Sequence, residues 1–460
     1  MDYKESSESD ASVVAQLRTL NQMTYLRPSQ SSLINSRVTK ILPANQNASA
    51  GSTSYFILNT GNDFVYGPST CLKLVARLTK VPEGIVALNT VWGTANGSIL
   101  NIFDSVRLTH RSGEGCEYIQ NCGVLGNILR LSKYSRDDLE VIDTLLASTA
   151  NESSNVTPFD TAAGSTIDIT CLIPLSLLGL GSFDSSHSLI PPSYLAGSRL
   201  EFVFLNNSQI FTNAAEIQLT SVTMSLLVDS YQAYDAANRQ IMEETSGNLD
   251  GSGLQFTFDT YFSSNNVIQP GTSNVASSGA ANNSVDVQNN VTIMSKAFFV
   301  LRQSAALSLS TAEKMSFFNS CTSLQWRLGS TYYPNQAMIL RPVTEGTTTK
   351  ISSNVSQAFL DYLLAFNALP NMMGMVSHQV AQSYALYAGN GVENDSENTI
   401  YAQMFDRSPG VLSFSGLPSN NARLLNISFS NMLTTSTIIT YFVQSTRVAN
   451  LIGDSCIIDR

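Results

Sequence analysis

The chain has 460 residues, a formal net charge of -10 at pH 7, 43% hydrophobic residues and only 13% charged ones. That length exceeds one ordinary core and predicts two or three domains. The acidic balance excludes a protein that binds nucleic acid over its whole surface, and the low charge leaves Ser, Thr, Asn and Gln to supply the exposed polarity, which suits β structure packed against neighbours.

The N-terminus "MDYKESSESDASVV" lacks the basic-then-apolar order of a signal peptide, and no long apolar run follows it. The expectation is a chain made and kept in the cytosol or nucleus. Asp10 or Ser12 can cap a short amphipathic helix carrying Val13, Leu17, Leu20 and Met23, with Pro28 as its stop. From Ala11 to Leu42 the only charged residues are Arg18, Arg27, Arg37 and Lys40, all positive. Such an arm either docks on its own protein or faces an acidic surface, lipid headgroups or nucleic acid.

From about Ser52 the pattern turns to short β-type runs between turn residues. In the first half these are "SYFILN" (54–59), "TCLKLVARLTK" (70–80), "SILNIFDSVRLTH" (98–110), "TIDITCLI" (166–173), "SRLEFVFLN" (198–206) and "EIQLTSVTMSLLVDSYQ" (216–232), with one helix-like stretch at 118–134. The second half repeats the scheme with strands near 254–262, 291–310, 323–333, 410–416, 423–432 and 437–452, and a helix at 356–369. The triplet Val106-Arg107-Leu108 has a counterpart in Trp326-Arg327-Leu328, which points to a duplicated unit and two similar sandwiches in tandem. Polar stretches at 147–165, 263–290 and 388–399 read as long surface loops with almost nothing to bury.

Catalytic signatures are missing from this pattern. The three histidines, His110, His187 and His378, sit in no metal or nucleophile motif, and Asp104, Asp235 and Asp361 have no evident carboxylate partner. There is no phosphate-binding glycine loop, and the Gly-Ser fragment at 179–183 lacks the frame of a nucleophile elbow. The six cysteines form no C-x-x-C pair and read as buried free thiols. Asn-x-Ser/Thr triplets at Asn47, Asn155 and Asn426 read as accidents of composition. No cofactor or metal is expected, and a non-enzymatic role is favoured over a hydrolase with dispersed carboxylates.

Three segments carry a family resemblance. "IDITCLIPLSLLGLGSFDSSHSLIPPSYLAGSRLEFVF" (167–204), "FDSVRLTHRSGEGCEYIQN" (103–121) and "LQWRLGSTYYPNQ" (324–336) together resemble the double jelly-roll major capsid proteins of the Polinton-like virus, adintovirus and virophage group. The resemblance implies an all-β fold of two tandem eight-stranded jelly-roll sandwiches with short inserted helices. It implies homotrimers that form pseudo-hexameric capsomers and tile the icosahedral shell of a double-stranded DNA virus, with penton and minor capsid proteins as further partners. The location implied is the virion capsid, with synthesis in the host cytoplasm and assembly there or in the nucleus. A carbohydrate-binding or adhesive β-sandwich protein is the alternative.

The resulting division is an N-terminal arm at 1–42, a first jelly roll at 43–235, a linker at 236–253 and a second jelly roll at 254–460. In "LQWRL" strand alternation puts Leu324, Trp326 and Leu328 on one face and Gln325 and Arg327 on the other. Gly329 and Ser330 permit a tight departure, and Pro334 is expected to fix the exit of a loop after Tyr332 and Tyr333. Arg327, Tyr332, Tyr333 and Pro334 either meet another subunit or brace their own domain. The family also implies an inward-facing arm, so Arg18, Arg27, Arg37 and Lys40 are candidates for contact with an internal lipid layer, the genome or the base of neighbouring capsomers.

Overall fold

The computed structural model describes residues 33–45, 48–81, 98–146, 163–184, 189–210, 217–233, 254–268, 281–287, 291, 293–303, 321–340, 356–366, 399–405, 417–418, 424–431 and 437–459. The expected arm helix with Val13 and Leu17, the linker at 236–253 and the expected strand at 410–416 lie outside these residues.

The first half comprises β1 (Leu33–Ile41), β2 (Thr53–Leu58), the two-residue β3 (Phe64–Val65), β4 (Cys71–Lys80), β5 (Phe103–Thr109), β6 (Gly115–Gln120), β7 (Thr166–Pro174), β8 (Ser198–Phe204) and β9 (Ile217–Ala233). One sheet has the order β1-β9-β4-β7, with β3 also on β9, and the other has the order β2-β8-β5-β6. The second half comprises β10 (Leu254–Ile268), β11 (Ala281–Val287), β12 (Ile293–Gln303), β13 (Cys321–Leu328), β14 (Thr331–Ile339), β15 (Tyr401–Met404), the short β16 (Leu417–Pro418), β17 (Leu425–Asn431), β18 (Thr437–Ile452) and β19 (Ser455–Asp459). Its sheets run β10-β18-β12-β15 and β11-β17-β13-β14, with β16 and β19 as additions to the first. Leaving out β3, β16 and β19, each half has eight strands in the same spatial order, first-eighth-third-sixth facing second-seventh-fourth-fifth. This is a jelly roll twice over, as the duplication in the sequence predicts.

The local chemistry explains these strands. In β4, Leu72, Leu74, Ala76 and Leu78 are buried while Lys73 and Arg77 are exposed, the period-2 pattern of a strand with one covered face. Strand β18 is buried almost continuously over its first seven residues, because it pairs with β10 on one side and β12 on the other and is covered on both faces. Phe299 anchors the second core, its ring 5.0 Å from Tyr401, 5.5 Å from Trp326 and 5.6 Å from Phe429. Each such buried aromatic contributes on the order of 2–3 kcal/mol through the water it sheds.

Three helices stand out: α1 (Cys122–Lys133), α2 (Arg136–Leu145) and α3 (Ser356–Ala365). Helix α3 matches the sequence expectation over its described residues, whereas α1 starts later than the expected 118, because residues 118–120 end strand β6. Helix α2 is not among the expected helices, although Ser135 caps it by accepting from the Asp138 amide and Asp137 and Asp138 complement its N-terminal dipole.

Three further expectations change. Residues 33–41 belong to the first jelly roll as β1, paired along β9, so the boundary at 42 falls at the end of a sheet strand. The polar stretch 263–290 is not all loop. Strand β10 continues to Ile268, and β11 buries Val285 and Val287 against β17. Tyr332, Tyr333 and Pro334 lie within β14 rather than in a loop, because Gly329, at φ 59°, and Ser330 close the β13–β14 turn by themselves.

Candidate functional site

The described side chains that carry chemistry are mostly spent on structure. Among the described residues no cluster of three or more His, Cys, Asp or Glu could hold a metal ion. His110 is buried, with Nε2 2.9 Å from the Ser193 carbonyl and Nδ1 accepting from the Ser112 amide at 3.1 Å, so it is a neutral ring that joins two turns. Burial pushes its pKa down in keeping with that role. All six cysteines are free; five are buried and Cys71 is half-buried. Asn426 is buried and gives its amide to Ser284 and Asp286, which removes it as a glycan acceptor. No described helix is long and apolar enough to cross a membrane.

The most specific geometry is the seam between the two jelly rolls. Strand β10 of the second half lies against β6 and a short turn, Gly181–Phe183, of the first. A Cβ on Gly181 would stand 1.4 Å from the Asp259 carbonyl oxygen, so no side chain fits there. Ser263 Oγ donates to the Gln120 carbonyl at 2.5 Å, and Asn265 Nδ2 to Asn121 Oδ1 at 2.8 Å. Arg447 Nη1 donates to the Cys116 carbonyl at 3.3 Å, and Arg111 pairs with Asp454 at 2.6 Å. Tyr194 packs its ring 4.9 Å from Phe256 and 5.7 Å from Phe258, and the Ser132 and Tyr362 hydroxyls join α1 to α3 at 2.9 Å.

Beneath the seam lies Glu117, a buried carboxyl in β6. It accepts from the Gly181 amide at 2.8 Å, the Ser182 amide at 3.2 Å and the Ser182 hydroxyl. Burial outweighs these donors and the Arg447 charge and pushes its pKa up to about 7. None of the seam residues was singled out from the sequence. The one available signal was Glu117 itself, a charge beside Ile119 in an apolar strand.

The four residues of the β13–β14 hairpin divide. Trp326 is fully buried, with its ring 6.3 Å from Phe405, and Tyr333, opposite it, packs on Phe405 at 5.5 Å. Tyr333 therefore braces its own domain. The Pro334 carbonyl accepts from Gln325 Nε2 at 3.2 Å. Arg327 and Tyr332 are cross-strand partners on the outward face, both exposed. The same pair occurs in the first half, where exposed Arg107 of β5 stands opposite exposed Tyr118 of β6. Strands β5 and β13 are the fourth main strands of their halves, so the two Arg–Tyr pairs occupy equivalent places.

Of the four basic residues of the expected arm, the two described ones point to opposite faces of β1. Arg18 and Arg27 lie outside the described residues. Arg37 gives Nε and Nη2 to Asp63 Oδ2 at 3.0 and 2.7 Å, and Lys40, three residues along β1, falls on the opposite face.

No protein-family model matches the sequence, and no curated protein matches it. Among solved structures, the chain superposes on the PBCV-1 virus capsid (TM-score 0.58, 9% identity) over 95% of this chain and 99% of that one. It superposes on the Faustovirus major capsid protein (TM-score 0.57, 9% identity) over 97% and 98%, and on the Sputnik virophage structure (TM-score 0.50, 11% identity) over 95% and 92%. The likeness spans both halves, and the chain has the double jelly-roll fold of these proteins.

Because the folded state holds the Glu117 proton more tightly than an unfolded glutamate, its stabilisation is complete below pH 4.5 and is lost as the pH rises through about 7. The stability of the native protein relative to the Glu117→Gln variant should fall by about 3 kcal/mol across that window. Urea unfolding of both proteins at several pH values checks this, and a difference that does not vary with pH contradicts it.

Proposed function

We propose that the protein is a major capsid protein whose homotrimers form pseudo-hexameric capsomers in the icosahedral shell of a double-stranded DNA virus of the Polinton-like virus and virophage group. The observation that carries this reading is the duplicated jelly roll, superposable over nearly the whole chain on capsid proteins. Two similar units per chain give a trimer six similar sides, which suits tiling with six neighbours. The Arg–Tyr pairs support it, since Arg107–Tyr118 and Arg327–Tyr332 would recur six times around such a ring. Both residue types combine large contact area with polar anchoring at interfaces. The role is structural rather than catalytic, in the virion capsid, with penton and minor capsid proteins as further partners.

The arm completes the reading. Arg18, Arg27 and Lys40 contact a polyanionic inner layer, lipid or genome, while Arg37 is largely engaged by Asp63. A test of the arm must stop at residue 32, since β1 is part of the sheet. Deleting 1–32 should leave a folded protein that no longer co-sediments with anionic vesicles or DNA at low salt; retained binding contradicts the arm's role.

The mass of the purified protein by light scattering, with negative-stain images of the same peak, tests the capsomer. Three chains with a six-sided outline are expected. A single chain that stays single when co-expressed with candidate minor capsid proteins contradicts it.

A further inference from the structure

Two thiols from different halves meet across the seam. Cys116 sits in β6 of the first jelly roll and is fully buried, and Cys456 sits in β19 of the second and is 5% exposed. Their side chains are in hydrogen-bonding contact, the Cys116 Sγ–H donating to Cys456 Sγ. Neighbouring contacts fix this meeting. Arg447 of β18 donates to the Cys116 carbonyl itself, and Arg111, in the β5–β6 turn, pairs with Asp454 in the β18–β19 turn. Cys456 stands opposite Leu451 on β18, and alternation along β19 turns Cys456 and Ile458 inward and leaves Ser455 and Ile457 exposed.

The same contact divides the roles of the two sulfurs. Burial pushes the Cys71, Cys122 and Cys171 thiols up, away from the reactive thiolate. Cys456 moves down instead, because the hydrogen bond from Cys116 stabilises its charged form against the opposing effects of burial and the Glu114 charge. Cys116 moves up, first because it gives that hydrogen bond and then because it is buried. Cys456 is also the more approachable of the two. Among the described residues β19 pairs only with β18, and Gly453, Asp454 and Ser455 at its start are exposed. A short strand held by a single ladder can lift enough to admit a small oxidant, with Cys116 behind it.

We propose that Cys116 and Cys456 form a reversible disulfide that locks the two jelly rolls together when the protein meets a peroxide. The Cys456 thiolate attacks one oxygen of hydrogen peroxide, the O–O bond breaks, and the departing hydroxide takes up the proton that Cys456 had released. This leaves a sulfenic acid on Cys456 and one water. Cys116 Sγ then attacks the Cys456 sulfur, the S–O bond breaks, and a second water leaves with the Cys116 proton. Two thiols and one peroxide become one disulfide and two waters, each sulfur having given one electron to the peroxide oxygens. A reducing compartment holds the pair as thiols, so the lock closes after the protein leaves one. The bond forms within a single chain and stands apart from the capsomer reading.

The test takes the full-length protein, reduced and then freed of reductant, treats it with hydrogen peroxide, alkylates it and digests it with trypsin under non-reducing conditions. A linked pair of peptides, 112–130 and 448–460, should appear, with fragment ions placing the bond at Cys116 rather than at Cys122. The oxidised protein should unfold at a urea midpoint about 1 M above that of the reduced protein, because the bond closes most of the chain into a loop. Dithiothreitol should reverse both effects. Cys116→Ser and Cys456→Ser should lack both, and Cys122→Ser should keep both; if a serine variant does not fold, the link and its reversal in the unsubstituted protein decide. A native protein that gives no such link, joins Cys116 or Cys456 to another cysteine, or forms the link only in urea overturns the proposal. A link that leaves the urea midpoint unchanged overturns it as well, since the halves are then not locked.

Discussion

The structure depends on one close approach. At Gly181 the backbone amide of the first jelly roll donates to Glu117, while the Cα side of the same residue lies against the Asp259 carbonyl of the second. A residue with any side chain would have to push the two strands apart, and protein interiors absorb such overlaps poorly. The surrounding contacts, from Tyr194 on Phe256 to Ser132 on Tyr362, are then made over a fixed separation, and the two sandwiches share one continuous core.

This arrangement joins the two halves of a duplicated fold into one body. A jelly roll of two four-stranded sheets has four sheet edges, and unpaired edges are hazards unless they are covered. Among the described residues, β10 packs against the other half, whereas Val38 and Lys40 of β1 are exposed. The exposed Arg–Tyr pairs at matching places on both halves extend the equivalence to the outward face.

Much of the fold was legible in the sequence because alternation survives wherever one face of a strand is covered. Cys71–Lys80 could be placed within a residue on that ground, Thr437–Ile452 by its near-continuous run of β-branched and apolar residues, and Trp326 could be assigned to the core from its neighbours alone. Strand β1 was hidden because "LINSRVTKI" does not alternate, and its pairing along β9 rather than its own side chains makes it a strand. Strand β11 was hidden in a Ser/Asn-rich stretch, with only Val285 and Val287 to mark it. The seam was illegible for a different reason: Cys116 and Glu117, adjacent in β6, are both buried, which happens only when a second body covers the other face. Single-strand periodicity carries no information about that body.

Calorimetry on the native protein and on the Gly181→Ala variant tests the central claim, that the two jelly rolls form one cooperative unit through this contact. The native protein should give a single transition with equal calorimetric and van't Hoff enthalpies, and the variant should melt earlier and in two steps. Two independent transitions in the native protein, or a variant that melts like it, would contradict the account.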